Sequence, residues 1–321
     1  MTQFYDTLAI PFGWIMHFFY NFSNNYLLSL IILVLLVKLI LIPSSISQQK
    51  GSAKQVRLQP KVNRIRQRYA GSNQQLTREM QMKIQEETQA LYKREGFSPM
   101  SGGCLPMLIQ FPVMIGLYGV VRNPLSMVLA IKDDLIMKAA QSLNISTATN
   151  DIYRLELKLL ESLSESNMPA PLAQYSEKIL ALKDQFMLFG KIDLTQTPDF
   201  KNFSILWVIP AITLAIGLIT SFIMFHKQKQ TNPEMAKNPS MGCMTFFSPI
   251  MSVMFTFWFP AGVGLYWILS SFFTLIQTIV LNNAYSSQKV IANAMIDETV
   301  ARRSREASII KMKEIQNKTK D

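Results

Sequence analysis

Cysteine is almost absent. Cys104 and Cys243 are the only two in 321 residues, so neither a disulfide framework nor a cysteine-based zinc site can be assembled. Each stands at the start of an apolar block and reads as a small hydrophobe. Histidine is equally scarce. His17 and His226 fall on opposite sides of the membrane in the topology derived below. No His-Glu-x-x-His, paired intramembrane aspartates or Ser-His pair occurs, which argues against an enzyme. No Gly-x-x-x-x-Gly-Lys-Ser/Thr pattern is present, so no nucleotide site of that kind is expected. Charged residues make up only 17% of the chain, against about 25% in ordinary soluble proteins. Acid is the scarcer sign, 21 Asp and Glu to 32 Lys and Arg, leaving a net charge of +11. The first residues lack a basic stretch and a small-residue cleavage site and are not rich in arginine, so neither a cleaved leader nor an organellar transit peptide is expected.

What the chain has instead is long apolar runs. Tyr26–Pro43, Cys104–Val121, Phe203–Phe225, Gly242–Phe259 and Ala261–Leu281 are each about 18–23 residues, enough to cross a bilayer as a helix. They do not alternate apolar and polar residues, which excludes a transmembrane β-barrel. Between them, Met1–Asn25 carries a net charge of −1, Lys50–Glu95 +7, Arg122–Lys201 −1, His226–Met241 +2 and Tyr285–Asp321 +3. Basic flanks stay in the cytoplasm, so the N-terminus is outside and the C-terminus inside. The fold class expected is all-α, a polytopic membrane protein of five spans. The division is an outer interfacial helix at 1–25, spans at 26–46, 103–121, 203–225, 242–259 and 261–282, a cytoplasmic αα-hairpin at 47–98, an extracytoplasmic helical loop at 122–202, a cytoplasmic loop at 226–241 and a basic cytoplasmic tail at 283–321.

Several segments carry local signals. Asp6–Tyr20 mixes apolar residues with Asp6 and His17, is too short and polar to span, and reads as a helix lying on the outer face. Gln48–Tyr69 and Gln74–Arg94 flank Ala70-Gly71-Ser72-Asn73. Their stripes Leu58, Val62, Ile65, Tyr69 and Leu76, Met80, Ile84, Leu91 predict an antiparallel pair of helices. Pro60 is expected to kink or interrupt the first of them. This basic hairpin is either a solvated element that enforces topology or a docking arm for anionic partners. In the outer loop Lys132–Leu143, Asp151–Ser166 and Gln174–Leu188 read as amphipathic helices, separated by Asn150 and Met168-Pro169-Ala170-Pro171. The tail is either a helix continuing the last span or disordered.

Lys38 is the one charge inside an apolar block. It lies about 12 residues, or roughly 18 Å of helix, from Tyr26. A charge there costs about 2.5–3.5 kcal/mol on insertion scales. Either it snorkels to the cytoplasmic headgroups, or it stands in a water-filled recess within the helix cluster. Gln110, Thr213, Ser221, Ser270, Ser271 and Gln277 are the polar residues that could line such a recess, each with the alternative of an ordinary interhelical hydrogen bond. No buried acid is available to pair with Lys38.

Pro43 with Gln48-Gln49-Lys50, Leu58-Gln59-Pro60-Lys61, Leu91-Tyr92-Lys93-Arg94-Glu95-Gly96, Gly103-Cys104-Leu105-Pro106-Met107-Leu108-Ile109-Gln110-Phe111-Pro112 and Phe259-Pro260-Ala261-Gly262-Val263-Gly264-Leu265-Tyr266-Trp267 together resemble the YidC family of bacterial membrane protein insertases, which has relatives in mitochondria and chloroplasts. The chain is similar to the short, Gram-positive-type form. The resemblance implies a five-helix core, a cytoplasmic hairpin and a hydrophilic groove open to the cytoplasm and to lipid. The groove would carry a positive residue from the first core helix, which matches Lys38. Its expected lining is Lys38, Gln110, Thr213, Ser221, Trp267, Ser270 and Gln277. The implied function is to move nascent transmembrane segments into the bacterial cell membrane without nucleotide hydrolysis or cofactor. The implied partners are nascent membrane proteins and the lipid bilayer, with the ribosome and the Sec translocon as further candidates and no small-molecule substrate. The competing reading is a channel or small-solute transporter. Two features depart from the family pattern: Lys stands where Arg is usual, and the loop from Arg122 to Lys201 is long.

Overall fold

The computed structural model describes residues 2–70, 77–98, 105–145, 155–231 and 239–318. The chain divides into two compact units. One comprises Met1–Ile42, Met107–Lys227 and Ala236–Thr278. The other comprises Pro43–Pro106, Gln228–Met235 and Ile279–Asp321. The expected turn residues Gly71–Asn73, the separator Asn150 and Gly103-Cys104 lie outside the described residues.

The first unit opens with α1 (Thr2–Ser23) and α2 (Tyr26–Ile40). The turn between them is written in two asparagines. Asn24 adopts a left-handed φ of 47°, which asparagine tolerates better than most residues. Asn25 then caps α2, its side chain accepting from Leu28 N at 2.9 Å,. One face of α1 buries Ala9, Met16 and Tyr20, while Ile10, Trp14, Phe18 and Phe22 stand exposed at four-residue intervals on the other. Helix α2 buries Tyr26, Leu30, Leu33, Val34 and Val37. It ends at Leu41, whose N–H bonds back to Val37 O at 3.1 Å.

Next come α5 (Leu105–Arg122), the short α6 (Pro124–Met127) and the stretch up to 202 that the charge pattern is expected to keep outside, called the outer segment. The outer segment holds helices α7 (Asp133–Ser142), α8 (Leu155–Ser162) and α9 (Ser176–Phe186), with 3-10 turns at Glu165–Asn167 and Ala170–Tyr175. Its core of Ile136, Leu157, Leu160, Leu172, Ile179, Leu182 and Phe186 is continuous with the residues buried by α1 and α2. Apolar burial at about 25 cal/mol per Å² therefore holds the outer segment to the helices beneath it. Glu156 is buried within it and caps α6 from a distance. Its Oε2 accepts from Leu125 N at 2.7 Å and Ser126 N at 3.0 Å, and its Oε1 accepts from Ser126 Oγ at 2.6 Å. Burial pushes its carboxyl up to about 7, outweighing the three donors, and Asp133 pushes in the same direction,.

The expectation of helices alone missed a small β-hairpin. Strands β1 (Met187–Leu188) and β2 (Ile192–Asp193) pair antiparallel. The tip places Phe189 and Gly190 at φ of 54° and 65°, a conformation that glycine supplies cheaply and that matches strand twist. The strand exit then staples the last long helix of this unit. Helix α12 (Ala261–Ala284) donates Ala261 N to Gln196 O at 2.7 Å and Gly262 N to Leu194 O at 2.9 Å. A Cβ on Gly262 would meet Val121 Cγ1 at 2.8 Å and Leu194 O at 3.3 Å, so the close approach depends on glycine.

Helix α10 (Val208–Thr231), preceded by a 3-10 turn at Ile205–Trp207, and α11 (Pro239–Thr256) complete the bundle. Among the described residues, two helices are long and apolar enough to cross a membrane, one running from Ile205 and one from Ala261. The bent pair of α2 and its successor makes a third if counted as one span, and Thr245–Thr256 is a shorter apolar helix.

The second unit contains α3 (Ile42–Ala70), α4 (Arg78–Arg94) and α13 (Ser287–Lys318). Helix α3 runs unbroken through Pro60, where an interruption was one expectation. Proline removes one internal hydrogen bond, and the buried Ala53, Leu58 and Ile65 on both sides of it keep the two halves on one face. Lys61 pairs with Glu95, and Tyr69 OH donates to Glu87 Oε1. The two pairings run in opposite directions along α3 and α4, so the helices are antiparallel. Thr77 caps α4 by accepting from Met80 N. The tail forms α13 after a break at Tyr285–Ser286, and Arg57 grips its Glu298 with two bonds of 2.9 and 2.7 Å.

Candidate functional site

A single face of α12 carries most of the polar chemistry of the helix bundle. Tyr266, Ser270 and Thr274 recur at four-residue intervals, and Gln277 follows three residues on. This spacing puts all four on one stripe of a helix. Neighbouring helices supply two partners. From α5, Gln110 Nε2 donates to Tyr266 OH at 2.8 Å. From α2, Lys38 Nζ donates to Thr274 Oγ1 at 3.0 Å. Thr274 in turn donates to the Ser270 carbonyl at 2.7 Å, and Tyr266 stands one turn before Ser270 on the same stripe. The result is a chain of polar groups along the stripe, with Gln110 bonded at one end and the ammonium of Lys38 at the other.

Local sequence explains the arrangement. Leu30, Leu33, Val34 and Val37 are buried, while Leu35, Leu39 and Ile40 are exposed. Lys38 lies next to the buried stripe and is half-buried. Its ammonium is therefore directed at another helix of its own unit. The hydroxyl of Thr274 offers an acceptor at that depth, and its own proton is already used on the Ser270 carbonyl, so the direction of the Lys38 bond is fixed. Gln277 Nε2 is buried and has no hydrogen-bond partner among the described residues.

The other residues expected from the sequence make their bonds elsewhere. Thr213 is buried and returns its hydroxyl to Ile209 O at 2.9 Å within α10. Ser221 bridges α10 to α11 by donating to Thr245 O at 3.0 Å. Trp267 stacks on Phe255 with ring centroids 5.8 Å apart and planes 5° apart, beside Phe259. Ser270 and Gln110 join Lys38 in the chain. Thr274 and Tyr266 belong to it and were not singled out from the sequence, although their spacing along one helix face was the available signal. Among the described residues, no group of three or more His, Cys, Asp or Glu is placed to hold a metal ion.

Residues 18–289 match the family described as 60Kd inner membrane protein. Relatives include Membrane protein insertase YidC 2 of Listeria innocua, 24% identical over 91% of this chain and 77% of the relative. Membrane protein insertase YidC of Oceanobacillus iheyensis is 26% identical over 84% and 79%. Membrane protein insertase MisCA of Bacillus subtilis is 24% identical over 81% and 71%. The match runs through the helices that carry the polar chain, and the protein belongs to the 60Kd inner membrane protein family, that of the YidC insertases.

Proposed function

We propose that this chain is a membrane protein insertase of the bacterial plasma membrane. It accepts nascent transmembrane segments from the cytoplasm and releases them into the bilayer. The reading is of five spans, N-out and C-in, with Lys38, Gln110, Thr213, Ser221, Trp267, Ser270 and Gln277 lining a hydrophilic groove. The observation that carries it is the placement of Lys38. Its ammonium is turned toward the polar stripe of α12 and donates to Thr274, rather than lying against the exposed side of its own helix.

A segment to be inserted must take its polar flank across about 30 Å of hydrocarbon. A wet, positively charged recess partway through shortens that path and attracts an acidic flank. The apolar part of the segment then partitions into lipid, and hydrophobic transfer at about 25 cal/mol per Å² drives the step without nucleotide. The protein supplies attraction and hydration, and no covalent chemistry. The partners are nascent membrane proteins and the bilayer, and the ribosome and the Sec translocon are the candidate sources of the cargo.

The test is insertion of a single-span protein with an acidic outer tail into proteoliposomes containing only this chain. Wild type inserts it without added nucleotide, Lys38→Arg retains the activity and Lys38→Glu loses most of it. Full activity of Lys38→Glu refutes the role of the positive charge. Solute flux without insertion refutes the insertase reading.

A further inference from the structure

The loop that leads into α10 is a preformed wedge of aromatic rings. Asp199 organises it: its Oδ1 accepts from Lys201 N at 2.9 Å, its Oδ2 from Asn202 Nδ2 at 2.6 Å, and its carbonyl from Trp207 Nε1 at 3.0 Å. With the polar groups occupied in this way, two large apolar side chains are turned out. Phe200 is 70% exposed and Phe203 is 87% exposed. They are not loose. Phe203 packs on Trp207 with centroids 5.1 Å apart, Phe200 packs on Phe257 at 4.5 Å, and Trp207 joins Phe257 at 5.0 Å.

The position of this cluster decides what it meets. It ties the start of α10 to Phe257, the residue that follows the end of α11, four residues before α12 begins. Past the exposed Ser204, exposed apolar side chains continue with Ile205 in the 3-10 turn and then Val208, Ile212, Ile219 and Phe222 along one face of α10, the helix whose length and composition suit a membrane crossing. Whatever covers that stripe also reaches the wedge. Phenylalanine and tryptophan at the end of a spanning helix suit the headgroup level, where rings are half-buried and polar groups remain hydrated.

We propose that Phe200 and Phe203 insert into the outer leaflet of the bilayer at the headgroup–acyl boundary. They anchor the outer segment to the membrane surface through the Asp199 turn. The proposal rests on α10 being a span.

The test uses the full chain with Cys104 and Cys243 replaced by serine, reconstituted in phosphatidylethanolamine–phosphatidylglycerol vesicles. Single cysteines from Phe203→Cys, Ile219→Cys and Glu165→Cys carry an environment-sensitive fluorophore. Ile219 lies about 16 Å along α10 from Val208, and Glu165 is exposed in the outer segment. The label at 203 should be blue-shifted and quenched most by lipids brominated near the headgroup. The label at 219 should be quenched most by lipids brominated deep in the chain, and the label at 165 should emit as in water. A water-like label at 203 beside a deep label at 219 overturns the anchor and leaves the span standing, pointing to a protein partner absent from the vesicles. Quenching at 203 as deep as at 219 also overturns the headgroup placement. A water-like label at 219 overturns the span itself.

Discussion

Replacing Glu156 by glutamine should remove a pH dependence from the stability of the outer segment. The carboxyl is pushed from 4.5 up to about 7, chiefly by burial. The folded protein therefore holds this proton more tightly than the unfolded chain. The resulting stabilisation is complete below about 4.5 and is lost as the pH rises through about 7. Between pH 8 and pH 5.5 acidification should add about 2 kcal/mol from this group. For a chain of 321 residues that is a rise of about 3 °C in Tm. Glutamine keeps an acceptor for the backbone donors of Leu125 and Ser126, and its amide can donate to the Ser126 hydroxyl. Glu156→Gln should then fold and show a Tm that changes less over the same range, the difference between the two profiles being the quantity read. Thermal unfolding in detergent at several pH values measures it. Parallel profiles for the two proteins would refute the assignment of the proton to Glu156.

Three further outcomes are expected. Thr274→Val removes the hydroxyl that receives the Lys38 ammonium, a charge-assisted bond worth about 1.5–3 kcal/mol; initial insertion rates in proteoliposomes should fall most for substrates with acidic outer tails, and an equal fall for neutral tails would count against the link. Gly262→Ala forces a Cβ against Val121 and the Leu194 carbonyl, an overpacking cost of about 1–3 kcal/mol; limited proteolysis should cut the outer segment faster. Arg57→Ala breaks the pair with Glu298, whose side chains are 26% and 64% exposed; the change in Tm should be small and shrink further in high salt, so a large drop in Tm would show the pair to be worth more than its exposure allows.

The sequence was most legible where a long apolar run or a lone charge dominates. The runs around 203–225 and 261–282 stand out because no charge interrupts them, and among the described residues the two helices long and apolar enough to cross a membrane start at Ile205 and Ala261. Lys38 is conspicuous as the one charge among leucines. Its partner was less so, because a threonine in an apolar helix looks like any hydroxyl that bonds its own backbone. Thr274 does so as well, and its role shows only when a second helix brings up a donor. Glu156 was counted as one acid among many. Its neighbours Leu155, Leu157, Leu159 and Leu160 marked it as destined for burial, but sequence could not say that α6 would bring it three donors. The β-hairpin escaped because two-residue strands have no periodicity to read, and its signal reduces to one glycine after Phe189. Thr213, Ser221 and Trp267 illustrate the opposite limit: polar or aromatic character in a span says nothing about which neighbour will use it.

The two hydrogen bonds that the first N–H groups of α12 donate to the carbonyls of Leu194 and Gln196 carry a constraint for anyone recombining such proteins. A helix entering hydrocarbon brings several unsatisfied N–H groups to its first turn, and in the proposed topology a piece of the exterior supplies two of the missing acceptors. A chimaera that shortens the external connection therefore has to preserve those two carbonyls or provide substitutes. Otherwise the deleted stretch, although remote from any cargo, would leave bare amides at the rim of the bilayer and loosen the helix on which the ammonium leans.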